Sequence, residues 1–428
     1  MSNLRIAVIG SGIAGLSAAW LLSRNHHVTL FEANAYLGGH TNTVDVTLEG
    51  ITHPVDTGFL VFNDRTYPNL IALFRHLGVR SVGSEMSFSV RLEEEGIEWA
   101  GSSISTLFAQ KRNLVRPEFW SMLGDILRFN REATRLVHAP LDPLCTVRSF
   151  LDDGNYGRPF RDWYLLPMAA AIWSCPTEQM LAYPARTFFR FCYNHGLLQV
   201  VNRPQWRTVL GGGREYVRRL ARCIDDVRLE APVRKVRRHH AFVEVETDAR
   251  GAETFDQVVL ACHGDQSLKL LADATDSEAR VLARVRYEPN VAFLHTDASF
   301  LPRAREAWCA WNYHAGRGDP ASRPVAVSYL INRLQPLPFK TPVIVTLNPN
   351  ERPRDATLLA RFDYAHPAFD GPAIEAQESL RTIQGRHRTW FCGAWTGYGF
   401  HEDGLKSGLA VANALGVSAP WQANEAAA

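Results

Sequence analysis

The chain has 428 residues, of which 46% are hydrophobic and 21% charged, with a formal net charge of +2. That length exceeds one ordinary core and points to two domains, while the composition is globular. The near-neutral balance excludes a whole-molecule field for nucleic acid. Seven cysteines (145, 175, 192, 223, 262, 309 and 392) are scattered without a CxxC pair, so their spacing gives no metal site. With no signal peptide, the expectation is a reducing cytoplasm. The longest apolar run, Tyr164 to Trp173, falls far short of the roughly 20 residues a bilayer requires, so any membrane contact would be peripheral.

The N-terminal stretch RIAVIGSGIAGLSAAWLLSRNHHVTLFEANAYLGGH reads as strand, helix, strand. Arg5 to Ile9 is too apolar to alternate, as in a buried parallel strand. Ile13 to Leu22 carries small residues on the face that approaches the sheet, and His27 to Phe31 is a second strand ending at Glu32. Gly10 permits the turn out of the strand. Gly12 leaves room for a pyrophosphate at the helix N-terminus, and Gly15 lets helix and strand pack closely. Glu32 lies 20 residues beyond Gly12, where a carboxylate binds ribose hydroxyls and repels a 2′-phosphate. Gly38-Gly39 then extends the motif beyond what a nicotinamide enzyme requires.

HPVDTGFLVFND follows a hairpin and contains Asp56-Thr57-Gly58-Phe59. From about residue 80 to 204 the chain reads as helical and aromatic-rich, with a 3–4 spacing of Phe119, Met122, Leu123, Ile126 and Leu127. Such stripes suit core packing or an apolar channel. Gly211 to Gly213 opens a helix, a short strand reaches Val233, and FDQVVLACHG is another buried strand. Basic residues crowd between Arg203 and His240, either as a solvated helix face and strand edge or as a patch for an anionic surface such as a membrane. Strands VAFLHTD, REAWCAWNYH, PVAVSYLIN and PVIVTLNP lie between 275 and 385. They carry Trp311, Asn312, Tyr313, His314, Tyr329 and Asn332, which either pack or line a site. The C-terminal TWFCGAWTGYGFHEDGLKSGLAVANAL is read as a strand from Trp390 to Cys392, a loop to Asp403-Gly404, and a helix with Ser407, Gly408, Ala410 and Ala412.

These motifs, in this order, resemble the flavin-containing amine oxidase and carotenoid (phytoene) desaturase superfamily. The chain is also similar to bacterial NAD/FAD-binding flavoproteins, some of whose relatives sit with fatty-acid-modifying enzymes. The resemblance implies an α/β fold: a Rossmann-like FAD-binding domain from 1–80, 205–274 and 386–420, and a discontinuous α+β substrate domain from 81–204 and 275–385. The substrate domain would combine a mixed sheet with a helical cap, and 421–428 would be a disordered tail. Non-covalent FAD would be held at the N-terminus by Gly10, Gly12, Ile13, Ala14, Gly15, Glu32, Ala33, Gly38 and Gly39. His40 stands where the family commonly has an arginine on the phosphates. The resemblance adds Thr57, Gly58 and Phe59, Val233 at the adenine, and Gly393, Asp403, Gly404 and Leu405 at the far end.

Hydride transfer forces no particular acid or base. His401, Tyr313 and Trp395 are the catalytic candidates, and His195 is a further histidine of interest. Trp395, Tyr398 and Phe400 are either cage aromatics or loop packing. No lysine can be placed at the flavin: Lys269, Lys340 and Lys406 are the only ones near. The expected function is an FAD-dependent oxidoreductase removing hydride from a hydrophobic substrate, a lipid acyl or isoprenoid chain. Alternatives are an amine oxidase and a non-redox flavin mutase, in which Arg203, Arg207 and Arg323 would grip a diphosphate. No metal and no nucleic-acid partner are expected.

Overall fold

Two sheets organise the chain in a computed structural model that describes residues 3–142, 144–173, 180–199, 202–317 and 326–425. The first sheet is parallel and runs, in spatial order, Asp226–Arg228, His27–Phe31, Arg5–Ile9, Gln257–Leu260 and Thr389–Phe391. Its central strand is apolar and buried from Ile6 to Ile9, as suits a strand covered on both faces. Ile6 and Val8 pack under the helices Ile13–Leu22 and His401–Ala414. Ala7 and Ile9 pack against a three-stranded sheet through Val236, Val243 and Val245. The expected strand–helix–strand start is present as read.

The second sheet has seven strands in the order Leu358–Pro367, Tyr287–His295, Ile344–Leu347, Ala326–Leu330, Trp311–Ala315, Phe88–Leu92 and Ile97–Ala100. Trp311–Ala315 and Phe88–Leu92 pair parallel, and the other pairs are antiparallel, so the sheet is mixed. The helices Pro117–Val137, Leu166–Trp173 and Ala185–Asn194 form the cap, with an aromatic core that includes Phe129, Phe160, Phe188 and Phe189.

Four readings change. The segment after residue 80 opens with strands, Ser81–Gly83, Phe88–Leu92 and Ile97–Ala100, and the last two complete the second sheet. The hairpin Thr43–Leu48 with Ile51–Asp56 buries Val46 and Val55 in the second sheet's core, although 1–80 reads as cofactor domain. Leu127 belongs to the apolar stripe by spacing yet is 57% exposed. Within the expected tail, Pro420–Glu425 is helical because Trp421 finds an aromatic partner: it stacks on Trp20 at 6.2 Å. Residues 426–428 lie outside the described ones.

Candidate FAD site and substrate cavity

A cavity of about 320 Å³ borders both sheets. On the side of the parallel sheet its wall includes Gly12, Ile13 and Ala14 at the start of the first helix, and Gly38 and His40 beyond the second strand. Steric limits explain the glycines. A Cβ on Gly15 would lie 1.9 Å from the Gly10 carbonyl oxygen, so helix and turn could not meet. Gly38 has φ +118° and donates its N–H to the Ser11 carbonyl at 3.1 Å, which seats the Gly-Gly pair against the first turn.

FAD fits what this end offers. A Cβ added to Gly12 would meet nothing within 4 Å, which leaves an open cradle in the cavity wall. The helix that starts at Ile13 has no side-chain cap and no acid in its first turn, so its N–H groups and positive dipole end are available to an anion. His40 Nε2 is buried without a hydrogen-bond partner. Glu32 is buried at the end of the second strand and rigidly oriented. One oxygen accepts from Ser11 N and Oγ (3.0 and 2.6 Å), the other from Asn34 N and Nδ2 (both 2.9 Å).

The other expected contacts divide. Thr57, Gly58, Phe59, Gly393, Trp395 and His401 join Gly12, Ile13, Ala14, Gly38 and His40 in the cavity wall. Gly10, Gly15, Glu32, Ala33, Gly39 and Val233 lie outside that wall, as do Asp403, Gly404 and Leu405. Ala33 is exposed, and Val233 begins an edge strand of the three-stranded sheet. The final helix starts at His401, two residues before Asp403-Gly404, so the last three residues lie inside it. Asp403 accepts the Phe400 N–H at 3.1 Å as a cap, Gly404 approaches Ile13, and Leu405 is core.

His401 is the cavity histidine with the most closely defined partners. Its Nε2 lies 2.6 Å from the Tyr216 hydroxyl and 3.2 Å from Thr41 Oγ1, and those two hydroxyls are 2.5 Å apart. Phe59 stacks on the ring at 3.8 Å. Enclosure pushes the imidazole down to about 3, and its place at a helix N-terminus further disfavours the cation. His401 is therefore neutral at pH 7, able to hold a hydrogen bond or a proton at a fixed place but not a charge.

Tyr313 is not in the cavity wall. It is 3% exposed within the second sheet's core. Trp311, two residues earlier on the same strand, and its cross-strand partner Tyr329 line the cavity instead, with rings edge-to-face at 4.8 Å. The strand leaves the cavity before reaching Tyr313. Asn312 is consumed inside the sheet by Ser89, Cys309 and Ser328, and His314 faces Glu93. Asn332 ties the loop at Phe339 to Val343. His195 packs on Phe191 at 4.0 Å and bonds its carbonyl at 3.0 Å, so its role is structural. Trp395, Tyr398 and Phe400 all reach the cavity.

The sequence reading missed an imidazole–phenol group. Tyr364 and His366 lie two apart on one strand, hence on one face, and His40 lies between them, with ring centroids at 5.0 and 5.2 Å. His263 stacks on Tyr287 at 4.1 Å in the same wall. The alternation Tyr364-x-His366 was the available signal. Enclosure holds His40 and His366 down, to about 3 and about 4.

Several arginines of the basic stretch from Arg203 to His240 are paired within the protein. Arg214 pairs with Asp45, Arg228 with Asp226 and Glu253, Arg234 with Asp248, and Arg238 with Asp273 and Glu278. Arg207 bonds Ser81, Arg203 bonds the Gln199 carbonyl, and neither borders the cavity. Arg323 and Cys175 lie outside the described residues. No group of metal-ligating side chains occurs among the described residues.

Comparison with known proteins decides the family. The profile of the flavin containing amine oxidoreductase family matches residues 13–329. The chain belongs to that family. FAD is its cofactor, and the superfamily expected from the motifs is the one found. Carotenoid phi-ring synthase of Streptomyces griseus is 29% identical over 312 residues, 66% of this chain and 58% of that protein. A putative flavin-containing monoamine oxidase of Mycobacterium tuberculosis is 29% identical over 268 residues, 58% of this chain and 54% of that one. The chain thus spans little more than half the length of these relatives. Among solved structures, a CLA-producing fatty acid isomerase from P. acnes superposes with a TM-score of 0.68 at 14% identity, covering 97% of this chain and 100% of that one. Cyclohexylamine oxidase from Brevibacterium oxydans gives 0.67 at 17%, covering 97% and 100%. These likenesses establish the fold alone.

Proposed function

We propose that this family member removes hydride from an uncharged, largely apolar substrate, a lipid acyl or isoprenoid chain. FAD, when bound, supplies the two-electron acceptor. One observation carries the reading: among the described residues the cavity wall contains no Asp, Glu, Lys or Arg. Its substrate end is instead built from Leu60, Val61, Met86, Ile172, Trp173 and Trp206, with Trp311, Tyr329, Leu347 and Phe369. A charged ammonium or carboxylate desolvated there would find no counter-ion, whereas an apolar chain gains from burial. All five lysines of the sequence, at 111, 235, 269, 340 and 406, are exposed. The protein's part is then positioning and exclusion of water. The aromatic walls hold the chain, and neutral His401, fixed by Tyr216, offers one polar contact. The name of the Streptomyces relative supports a carotenoid-like substrate.

The amine oxidase reading retains one support, the aromatic trio Trp395, Tyr398 and Phe400 in the wall. Anaerobic absorbance titration of the FAD-loaded protein separates the two. Bleaching of the flavin's visible band is expected with a bacterial lipid extract and not with aliphatic or aromatic amines. Bleaching by amines alone would overturn the proposal.

A further inference from the structure

A second surface of the molecule has a use that the cavity does not explain. Among the described residues ten large hydrophobic side chains are exposed, and five fall between residues 104 and 127: Ile104 at 78%, Leu114 at 49%, Val115 at 82%, Trp120 at 52% and Leu127 at 57%. The first four form one patch. Phe108 donates its N–H to the Ile104 carbonyl at 3.3 Å and places its ring 5.5 Å from that of Trp120. Trp120 Nε1 donates to the Leu114 carbonyl at 3.0 Å, beside Val115. The indole's polar tip is thereby satisfied within the protein, and what it turns outward is hydrocarbon. Leu127 continues the same helix face seven residues on, past Gly124.

Cations are interleaved with this patch. Lys111 and Arg112 are exposed, Arg116 is half-buried, and no ion pair among the described residues involves any of the three. The acids of the stretch are Glu118, which is exposed, and Asp125, which is engaged by Arg128 at 2.9 Å and by the Gly157 N–H. Exposed aliphatic side chains beside a tryptophan, with two lysine or arginine residues between them and a third flanking, match the two-part attraction of an interfacial segment. Apolar groups enter the acyl boundary, and cations meet anionic headgroups. No helix among the described residues is long and apolar enough to cross a membrane. The other face of the same helix buries Phe119 and Met122 in the core that holds Tyr329, with Met86, Trp206 and Trp311 packed against it. Those four are cavity walls, so the helix that carries Trp120 packs on the core that also backs the cavity.

We propose that the surface formed by Ile104, Leu114, Val115 and Trp120 with Lys111, Arg112 and Arg116 docks this protein on an anionic phospholipid bilayer. A second copy of the chain is the poorer occupant, since an isologous contact would set these unpaired cations against their own copies. The docking surface is distinct from the basic stretch at 203–240, whose arginines are largely paired within the protein. It does not depend on the hydride reading: binding is measured without turnover, so either can fail alone.

The test is co-sedimentation of the full-length, FAD-loaded chain with phosphatidylcholine vesicles and with vesicles of equal parts phosphatidylcholine and phosphatidylglycerol. Pelleting with the anionic vesicles is expected, at least ten-fold stronger than with the neutral ones and weakened by salt. The double variant Ile104→Glu, Val115→Glu should lose at least ten-fold in binding with unchanged flavin content. Should that variant fail to fold, Lys111→Glu, Arg112→Glu serves in its place, both positions being exposed. Absence of wild-type binding, or undiminished binding by the patch variants, overturns the proposal. So does loss of binding in Lys235→Glu, Arg237→Glu instead. A wild-type dimer dissociated by Val115→Glu would overturn it as well, by making the patch an interface between copies.

Discussion

Glu32 shows how a single side chain ties the first turn to the end of the second strand. Its two oxygens receive four donors from Ser11 and Asn34, which locks the glycine turn to the end of the second strand and fixes where the remaining lone pairs point. Glu32→Gln sets an NH₂ group against one of those donor pairs, a conflict worth about 1–3 kcal/mol. If the carboxylate also holds the ribose, FAD affinity should fall on the order of ten-fold or more, read as the dissociation constant from flavin fluorescence. Wild-type affinity in that variant would remove Glu32 from the cofactor site. The acid and its spacing were legible in the sequence; its donors were not, because Ser11 and Asn34 become its partners only once the turn is formed. Tyr313 illustrates the opposite case. Tyrosine on a strand beside Trp311 looks like a site residue, but strand direction, a tertiary property, takes it into the core.

At the scale of elements, two glycines near the first helix make separable demands. Gly12 has extended backbone (φ −61°, ψ 174°), and an added Cβ meets no protein atom within 4 Å. A Cβ on Gly408, in the final helix, would lie 2.3 Å from the Ala14 carbonyl oxygen. Gly12→Ala should therefore leave the unfolding temperature of the FAD-free protein nearly unchanged while weakening FAD binding, since the methyl occupies the cofactor's approach. Gly408→Ala should lower that temperature, at a cost of about 1–3 kcal/mol for forcing two packed helices apart. Thermal melts with and without added FAD check both. Equal effects of the two substitutions would show that the cradle and the helix contact are not distinct. The helix–helix contact also explains why the C-terminal small-residue pattern was readable while the helix start was not. Close packing selects Gly and Ala by sequence, but the first turn, from His401, is capped by Asp403, a polar residue that local pattern alone assigns to a loop.

For the whole molecule, the enclosed titratable groups predict a dependence on pH. Burial lowers His40 and His401 to about 3 and His195, His295 and His366 to about 4, from an ordinary 6.5. Between those values the unfolded chain binds more protons, so each histidine's contribution is present above pH 6.5 and is lost as pH falls below it. Asp56 and Asp403 act in the other sense, because burial raises both from 3.8 to about 6 and the folded state gains protons first as pH falls through 6. Burial also holds His263 and His314 down and raises Asp162 and Glu402; seven histidines thus oppose four carboxyls, and the net expectation is falling stability from pH 6.5 towards 5. Urea midpoints of the FAD-free protein across that range test it. A flat or rising profile would mean that the cavity histidines are solvated in solution.

The nucleotide-binding half was legible from residue pattern alone. Glycine spacing, the acid after the second strand and the small residues of the last helix are local demands of a tight turn and of close packing, and local demands leave a mark in the sequence. Strand and helix periodicity also marked four strands of the mixed sheet and most of the aromatic cap, but not Phe88–Leu92, Ile97–Ala100 or Leu358–Pro367. Which polar and aromatic residues face the cavity depends instead on long-range packing. His40, His263, His366 and Tyr364 come from segments more than 300 residues apart at the extremes and share one wall because the hairpin, the parallel sheet and the long strand Leu358–Pro367 converge there. No local pattern encodes that convergence, since each residue satisfies its own strand or turn equally well whichever neighbour it finally meets.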